Sequence, residues 1–219
     1  MSAVTAELPQ QRPRRTTGRA ILHWVGIACL LAAAYFGGYV AWLLWGTGLQ
    51  TEQAQQGLRT TTEHWGGHPA PIPADPTTAP RILPGDAYAD IVIPSIGLDM
   101  VVVQGTDYES LKKGPGHYLD TADPWDGTGR VGIAGHRTTY LAPFFDLDKV
   151  QVGDRISLLT KYGRFDYEVT KNFVMPEATA GVVLEQTEKP TLVLTTCNPK
   201  YASYERLLVE AVLVNAPSG

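Results

Sequence analysis

The sequence predicts an all-β protein: a closed barrel of seven or eight strands with short helices, preceded by an N-terminal transmembrane helix. Three observations carry that expectation. Ala20 to Thr51 contains no Asp, Glu, Lys or Arg. From Gly85 to about Asn215 the apolar residues come in short runs of Val, Ile, Leu, Tyr and Phe separated by turn residues. That same stretch lacks the repeated helices needed to cover a parallel sheet, which argues against a doubly wound α/β fold. Closing the sheet into a barrel removes its exposed edges.

Residues 1–19 form a basic tail with Arg12, Arg14, Arg15 and Arg19. The anchor occupies 20–48, and its strongly apolar part, Trp24 to Trp45, is close to the ~20 residues that span a bilayer as a helix. Trp24 lies near one end, with Trp42 and Trp45 near the other, where aromatic rings favour the headgroup region. Arginines precede the stretch, and the nearest charge beyond it is Glu52. That bias predicts a single-pass cell-membrane protein with a cytoplasmic N-terminus and an extracellular domain. A buried soluble helix and a cleaved signal peptide are the rivals. The run is long for a signal peptide, and no Ala-x-Ala-like spacing follows Trp45. Cys29 reads as apolar filling of the anchor.

Residues 49–84 read as a stalk and spacer. Thr51 to Trp65 is rich in Gln, Glu and Thr, a polar helix with Leu58 as its main apolar residue. Gly66 to Pro84 carries six prolines, which suits a semi-rigid spacer rather than a packed element. The folded domain is expected at 85–215, with strands over 89–93, 99–103, 129–134, 155–159, 164–173, 191–196 and 206–214. Turns fall at 94–97 and 161–163, and short helical turns at 108–113, 141–147 and 176–183. Residues 52–219 hold 14 Lys and Arg against 21 Asp and Glu. With no basic cluster, nucleic acid is excluded as a partner.

Cys197 ends the strand-forming run Leu192-Val193-Leu194-Thr195-Thr196 and precedes the turn-starting pair Asn198-Pro199. A buried structural cysteine is the alternative, but polar neighbours give little reason for an apolar niche. His136 follows the small-residue run Val131-Gly132-Ile133-Ala134-Gly135, again where a strand gives way to polar residues. Arg206 opens the last apolar run, and an eight-residue loop would return it beside the thiol. A nucleophile, its acid/base partner and an anion stabiliser form one reading of the three. A surface arginine, salt-bridged to Glu205, is the other reading of Arg206, and Arg137 is its rival. His64 and His68 fall in the stalk and spacer, whereas His117 in Gly-Pro-Gly-His-Tyr is placed to line a groove. No closely spaced Cys/His set points to zinc, and no cofactor is implied.

Val193-Leu194-Thr195-Thr196-Cys197 resembles the Thr-Leu-x-Thr-Cys signature of sortases, the membrane-anchored cysteine transpeptidases of Gram-positive bacteria. The resemblance covers about 87–214, and His136 and Arg206 fall where that family places its histidine and arginine. Val193 departs from the usual threonine at a strand position. Gly135-His136-Arg137-Thr138-Thr139-Tyr140 with Ala142-Pro143-Phe144-Phe145, and Gly114-Pro115-Gly116-His117-Tyr118, look like the actinobacterial class E group, with class D the runner-up. The resemblance implies catalytic Cys197, His136 and Arg206, acting on a Leu-Ala-x-Thr-Gly-like sorting signal. The partners it implies are secreted proteins bearing that signal and an amine of a peptidoglycan precursor. Thr195 and Thr196 are expected as groove donors, and Tyr118 and Tyr140 as shaping the alanine pocket. Pilin-type sortases, L,D-transpeptidases, which carry Ser-x-Gly-Cys, and a non-catalytic wall-binding domain are the competing readings.

Overall fold

The computed structural model describes residues 17–65, 67, 69–73 and 80–217. The arginines at 12, 14 and 15, His68 and part of the proline-rich spacer lie outside them. The chain divides into two units, Met1–Ala41 and Trp42–Gly219. In the first, helix α1 (Thr17–Ala41) exposes Leu22, Trp24, Leu30 and Phe36. Its residues Gly18–Ala41 are long and apolar enough to cross a membrane. A helix apolar all round is stable in a protein core or in lipid.

The second unit starts with a π-helical turn, Trp42–Gly46, and helix α2 (Thr47–Thr62). Eight strands follow: β1 (Ala87–Ile93), β2 (Leu98–Gln104), β3 (Gly116–His117), β4 (Arg130–Ala134), β5 (Arg155–Thr160), β6 (Gly163–Pro176), β7 (Thr191–Asn198) and β8 (Glu205–Asn215). They close into a barrel in the order β1-β2-β3-β4-β7-β8-β6-β5. Pairings β2–β3 and β4–β7 are parallel and the others antiparallel. Ile91, Ile133, Phe144, Ile156, Leu158, Phe165, Leu192 and Leu194 fill the interior. A smaller cluster, Val183, Val193 and Leu208, lies on the other face of β7 and β8 beneath the 3-10 segment Glu177–Leu184.

The polar stretch expected as a stalk is helical, and it docks on the barrel. Its buried residues are Thr47, Thr51, Gln55 and Thr62, a face made of hydroxyls and an amide. Gln55 Nε2 donates to Val101 O and Lys113 O, each at 2.8 Å, and Val101 N donates to Gln55 Oε1 at 2.7 Å. Thr62 donates to Asp90 at 3.1 Å, and Arg59 pairs with Asp99 at 2.8 Å. A search for apolar periodicity misses such a face, because its fully buried positions are polar, and Ala54 and Leu58 beside them are half-buried. The spacer also touches the barrel: Ile72 and Ile82 pack against the core, and Ala70 N donates to Lys161 O.

Two local expectations fail for physical reasons. Strand β3 was read as turn, since Gly114-Pro115-Gly116 masks a two-residue bridge between β2 and β4. The helical turn expected at 141–147 gives way to three residues in the left-handed region, Tyr140 (φ 54°), Leu141 (φ 61°) and Ala142 (φ 45°). Each such non-glycine residue costs about 1–3 kcal/mol and persists only where its surroundings hold it. Phe144 anchors the far side of that loop, fully buried, with its N–H on His136 O.

Candidate active site

Strands β4, β7 and β8 lie side by side, and their ends carry the candidate residues. In the antiparallel pair β7–β8, Cys197 is directly opposite Arg206 and Thr195 opposite Leu208. Directly opposed residues share a face, with Cβ atoms about 5 Å apart. The thiol and the guanidinium therefore project to one side of the sheet, the face of Val193 and Leu208 rather than the barrel interior. The parallel pair β4–β7 sets Ala134 level with Thr195. Gly135 continues that ladder, its N–H donating to Thr195 O at 3.1 Å. His136 follows two residues after Ala134, just past the end of β4.

Cys197 is a free, half-buried thiol. The His136 Nε2 is buried and has no hydrogen-bond partner among the described residues. Burial holds its pKa below the ordinary histidine value. The ring rests on Tyr140, with centroids 4.8 Å apart. Arg206 donates through Nη1 to Ser203 O at 2.7 Å and Glu205 O at 3.1 Å, and through Nη2 to Glu177 at 2.9 Å. Of its five N–H groups, the Nε–H and one on Nη2 remain without a partner among the described residues. The ion pair expected with Glu205 goes to Glu177 instead, because Glu205 accepts from Asn198 Nδ2 at 2.7 Å.

Beside the arginine a cleft of ≈ 130 Å³ is bounded by Tyr118, Glu177, Val183, Leu184, Thr195 and Arg206 among others. Tyr118 and Thr195 meet there, hydroxyl to hydroxyl, at 3.0 Å. A larger hollow of ≈ 460 Å³ is bounded by Arg81, Tyr88, Asp120 and Asp123. Cys197, His136 and Arg206 do not border it, so size alone would point away from them.

Comparison with known proteins agrees with this geometry. A sortase-domain profile matches residues 91–214, more than half the chain. The chain belongs to the sortase family. It is 38% identical over 115 residues to Sortase D of Bacillus subtilis (strain 168), covering 52% of this chain and 56% of that protein. It is 28% identical over 192 residues to Sortase SrtE1 of Streptomyces coelicolor (strain ATCC BAA-471 / A3(2) / M145), covering 80% of this chain and 52% of that protein. The chain thus spans about half the length of these two relatives. Among solved structures, a Clostridium perfringens Sortase D5 transpeptidase superposes with TM-score 0.64 at 30% identity, covering 74% of this chain and 99% of that one. The eight-stranded barrel is the sortase fold, and the relatives fall in classes D and E.

Within this sortase, Cys197 lies opposite Arg206 across β7–β8, Tyr118 and Thr195 border the cleft beside Arg206, and Tyr140 packs on His136 just past β4. Two residues expected in the groove are elsewhere. Thr196 is 3% exposed and donates to Gly135 O at 2.7 Å, bolting the end of β4 to β7. Alternation explains it: Thr196 faces inward between two outward residues. His117 is 1% exposed, stacked 4.1 Å from Tyr88, with Nδ1 near Gln104 and Nε2 near Thr121 and Ala122 O. It faces the interior because it lies opposite the core residue Ile133.

Arg137 is also reassigned. It is 4% exposed and donates to Cys197 O at 3.2 Å, Asn198 Oδ1 at 3.1 Å and Phe145 O at 3.3 Å, with Asp148 at 3.1 Å. Its charge braces the backbone at Cys197 and Asn198. Glu177 went unforeseen, since no sequence spacing links it to Arg206.

Proposed function

We propose that this chain is a sortase transpeptidase in which Cys197 is the nucleophile, His136 the acid/base group and Arg206 the oxyanion donor. The observation that carries the reading is the β7–β8 register, which sets Cys197 directly opposite Arg206, while β4 pairs beside β7 and ends two residues before His136. The Cys197 thiolate adds to the carbonyl carbon of the Thr-Gly bond in a sorting signal. The Arg206 guanidinium keeps its charge throughout and donates to the oxygen as negative charge develops. Protonated His136 gives its proton to the leaving glycine amine, which closes a thioacyl-enzyme. Neutral His136 then takes a proton from an incoming amine of a peptidoglycan precursor. That amine attacks the thioester, forms the new amide and restores the thiol.

The signal preference is Leu-Ala-x-Thr-Gly, with alanine favoured over proline at the second position. Its support is the likeness to class E sequences around Tyr118 and Tyr140, with Tyr118 bordering the cleft. A class D preference is the alternative, favoured by the identity to Sortase D. The basic segment before α1 orients the N-terminus to the cytoplasm, with the barrel outside.

The test supplies the full chain, in detergent micelles, with paired alanine and proline signal peptides and an amine acceptor, and follows products by mass. Transfer of the alanine peptide through Thr, abolished in Cys197→Ala, is the expected result. Proline-favouring specificity would remove the class E preference. Turnover in Cys197→Ala above a tenth of the parent would overturn the mechanism.

A further inference from the structure

The loop that carries Tyr140 is held from outside the barrel. Its three consecutive left-handed residues are costly conformations that their surroundings must hold. Besides the loop's own bonds, Ala142 N–H to Thr139 O and Phe144 N–H to His136 O, three contacts reach it from other elements. Tyr140 N–H donates to Thr47 Oγ1 of α2 at 3.2 Å, and Tyr140 OH meets Tyr108 OH at 3.1 Å. Leu141 lies over Gly48, where a Cβ would stand 3.2 Å from its Cδ2. Thr47 is 4% exposed, and its hydroxyl donates in turn to Leu43 O at 2.9 Å. The oxygen thus accepts from the loop while its proton is committed to the helix. On the other side of the same residue, the Tyr140 ring supports His136 at 4.8 Å.

We propose that Thr47 is a positioning residue for His136, acting through Tyr140, so that the first turn of α2 is part of the catalytic apparatus. The inference rests on the reading of His136 as the acid/base group. Proton transfer needs the imidazole within hydrogen-bond reach of the leaving amine, so a small displacement of its support lowers turnover more than binding. Loss of the Thr47 oxygen removes the acceptor seen for the Tyr140 N–H, which favours loop conformations that abandon the ring contact. The remaining buried contacts of α2, at Thr51, Gln55 and Thr62, hold the helix without touching this loop.

The experiment compares Thr47→Val, Thr47→Ser and Thr62→Val in the full chain in detergent micelles. Thr47→Val should lower kcat about tenfold with KM within about twofold. Thr47→Ser should keep at least about half of parental kcat, since it restores the acceptor oxygen. Thr62→Val, which loosens the far end of the same helix, should keep parental kcat. Amide exchange of the segment containing Tyr140 should accelerate, and the His136 ring resonances should move, in Thr47→Val alone. Parental kcat in Thr47→Val, equal losses in Thr62→Val, or unchanged exchange at Tyr140 would each overturn the proposal. If Thr47→Val does not fold, Thr47→Ala is read the same way. A parent that turns over no signal peptide would refute the proposed function, while the His136 resonances would still decide the link to Thr47.

Discussion

Two histidines stand on neighbouring strands of one barrel, and their surroundings differ in nearly every respect. His117 on β3 faces the interior, stacked on Tyr88, with both ring nitrogens near hydrogen-bonding partners. Its neighbour in that nest, Asp123, accepts from Tyr88 OH at 2.7 Å. Just past β4, His136 lies against Tyr140, and its Nε2 has no partner among the described residues. Buried polar atoms are normally satisfied, so an orphan is the exception that calls for an explanation. The satisfied ring suits a structural role, and the orphan is what the proposed acid/base role of His136 would account for.

The largest expected effect separates those two directly. His136→Gln should lower transfer by about 10²–10⁴, the usual loss of a general acid/base. His117→Gln should keep transfer within about tenfold and lower the unfolding midpoint instead. Parallel kinetic and denaturant measurements would break the comparison if the two variants behaved alike. Next comes the anion donor. Arg206→Ala should cost about 10²–10³ in kcat, with Arg206→Lys intermediate because it keeps charge but loses the planar fork. Equal rates for the lysine variant and the parent would reduce the role to bare charge.

Arg137 should behave like the structural side of the comparison despite its place beside the thiol. Arg137→Met leaves the oxygens of Cys197, Asn198 and Phe145 without their donor. A destabilisation of about 2–4 kcal/mol is expected from chemical denaturation. A variant of parental stability but lost activity would return Arg137 to the substrate side. A subtler effect falls on His136 itself. Burial holds its pKa down, so Tyr140→Ala should raise it toward the ordinary value by admitting water. An NMR titration of the imidazole showing no change, or a fall, would deny Tyr140 its part in that burial.

The smallest effect is in stability against pH. Burial lowers His117 from 6.5 to about 4. As pH falls through that window the unfolded chain takes a proton that the folded chain refuses, and stability drops. Burial raises Asp123 from 3.8 to about 6. There the folded chain keeps a proton that the unfolded chain has lost, so stability rises as pH falls. Each slope is worth up to about 3 kcal/mol, and the two oppose one another. The parent should therefore be nearly flat between pH 4 and 6 from these groups, whereas His117→Gln should gain stability on acidification. Identical profiles for the two chains would dissolve the pairing.

The seven longer strands were legible because short apolar runs between turn residues are a strong local signal. The β7–β8 connection was legible too: eight residues separate Cys197 from Arg206, of which Asn198 and Glu205 extend the ladder and 199–204 make the loop. What escaped was encoded in polar contacts without periodicity. The docking face of α2 uses Thr and Gln, the brace at Arg137 depends on a strand sixty positions away, and Glu177 reaches Arg206 from the segment over the cleft. Thr196 was misread for want of the strand phase: the signature contains two threonines, and alternation turns just one of them toward the cleft.

The hydroxyl-and-amide seam of α2 has a thermodynamic signature of its own. Heat capacity and denaturant sensitivity both follow the surface exposed, and apolar and polar areas enter heat capacity with opposite signs. Undocking a helix held through Thr47, Thr51, Gln55 and Thr62 breaks hydrogen bonds and exposes polar groups as well as apolar ones. Its release would therefore change the curvature of a calorimetric trace less than release of an apolar-faced helix of the same length. Calorimetry alone would understate the loss of this helix, and with it the release of Tyr140.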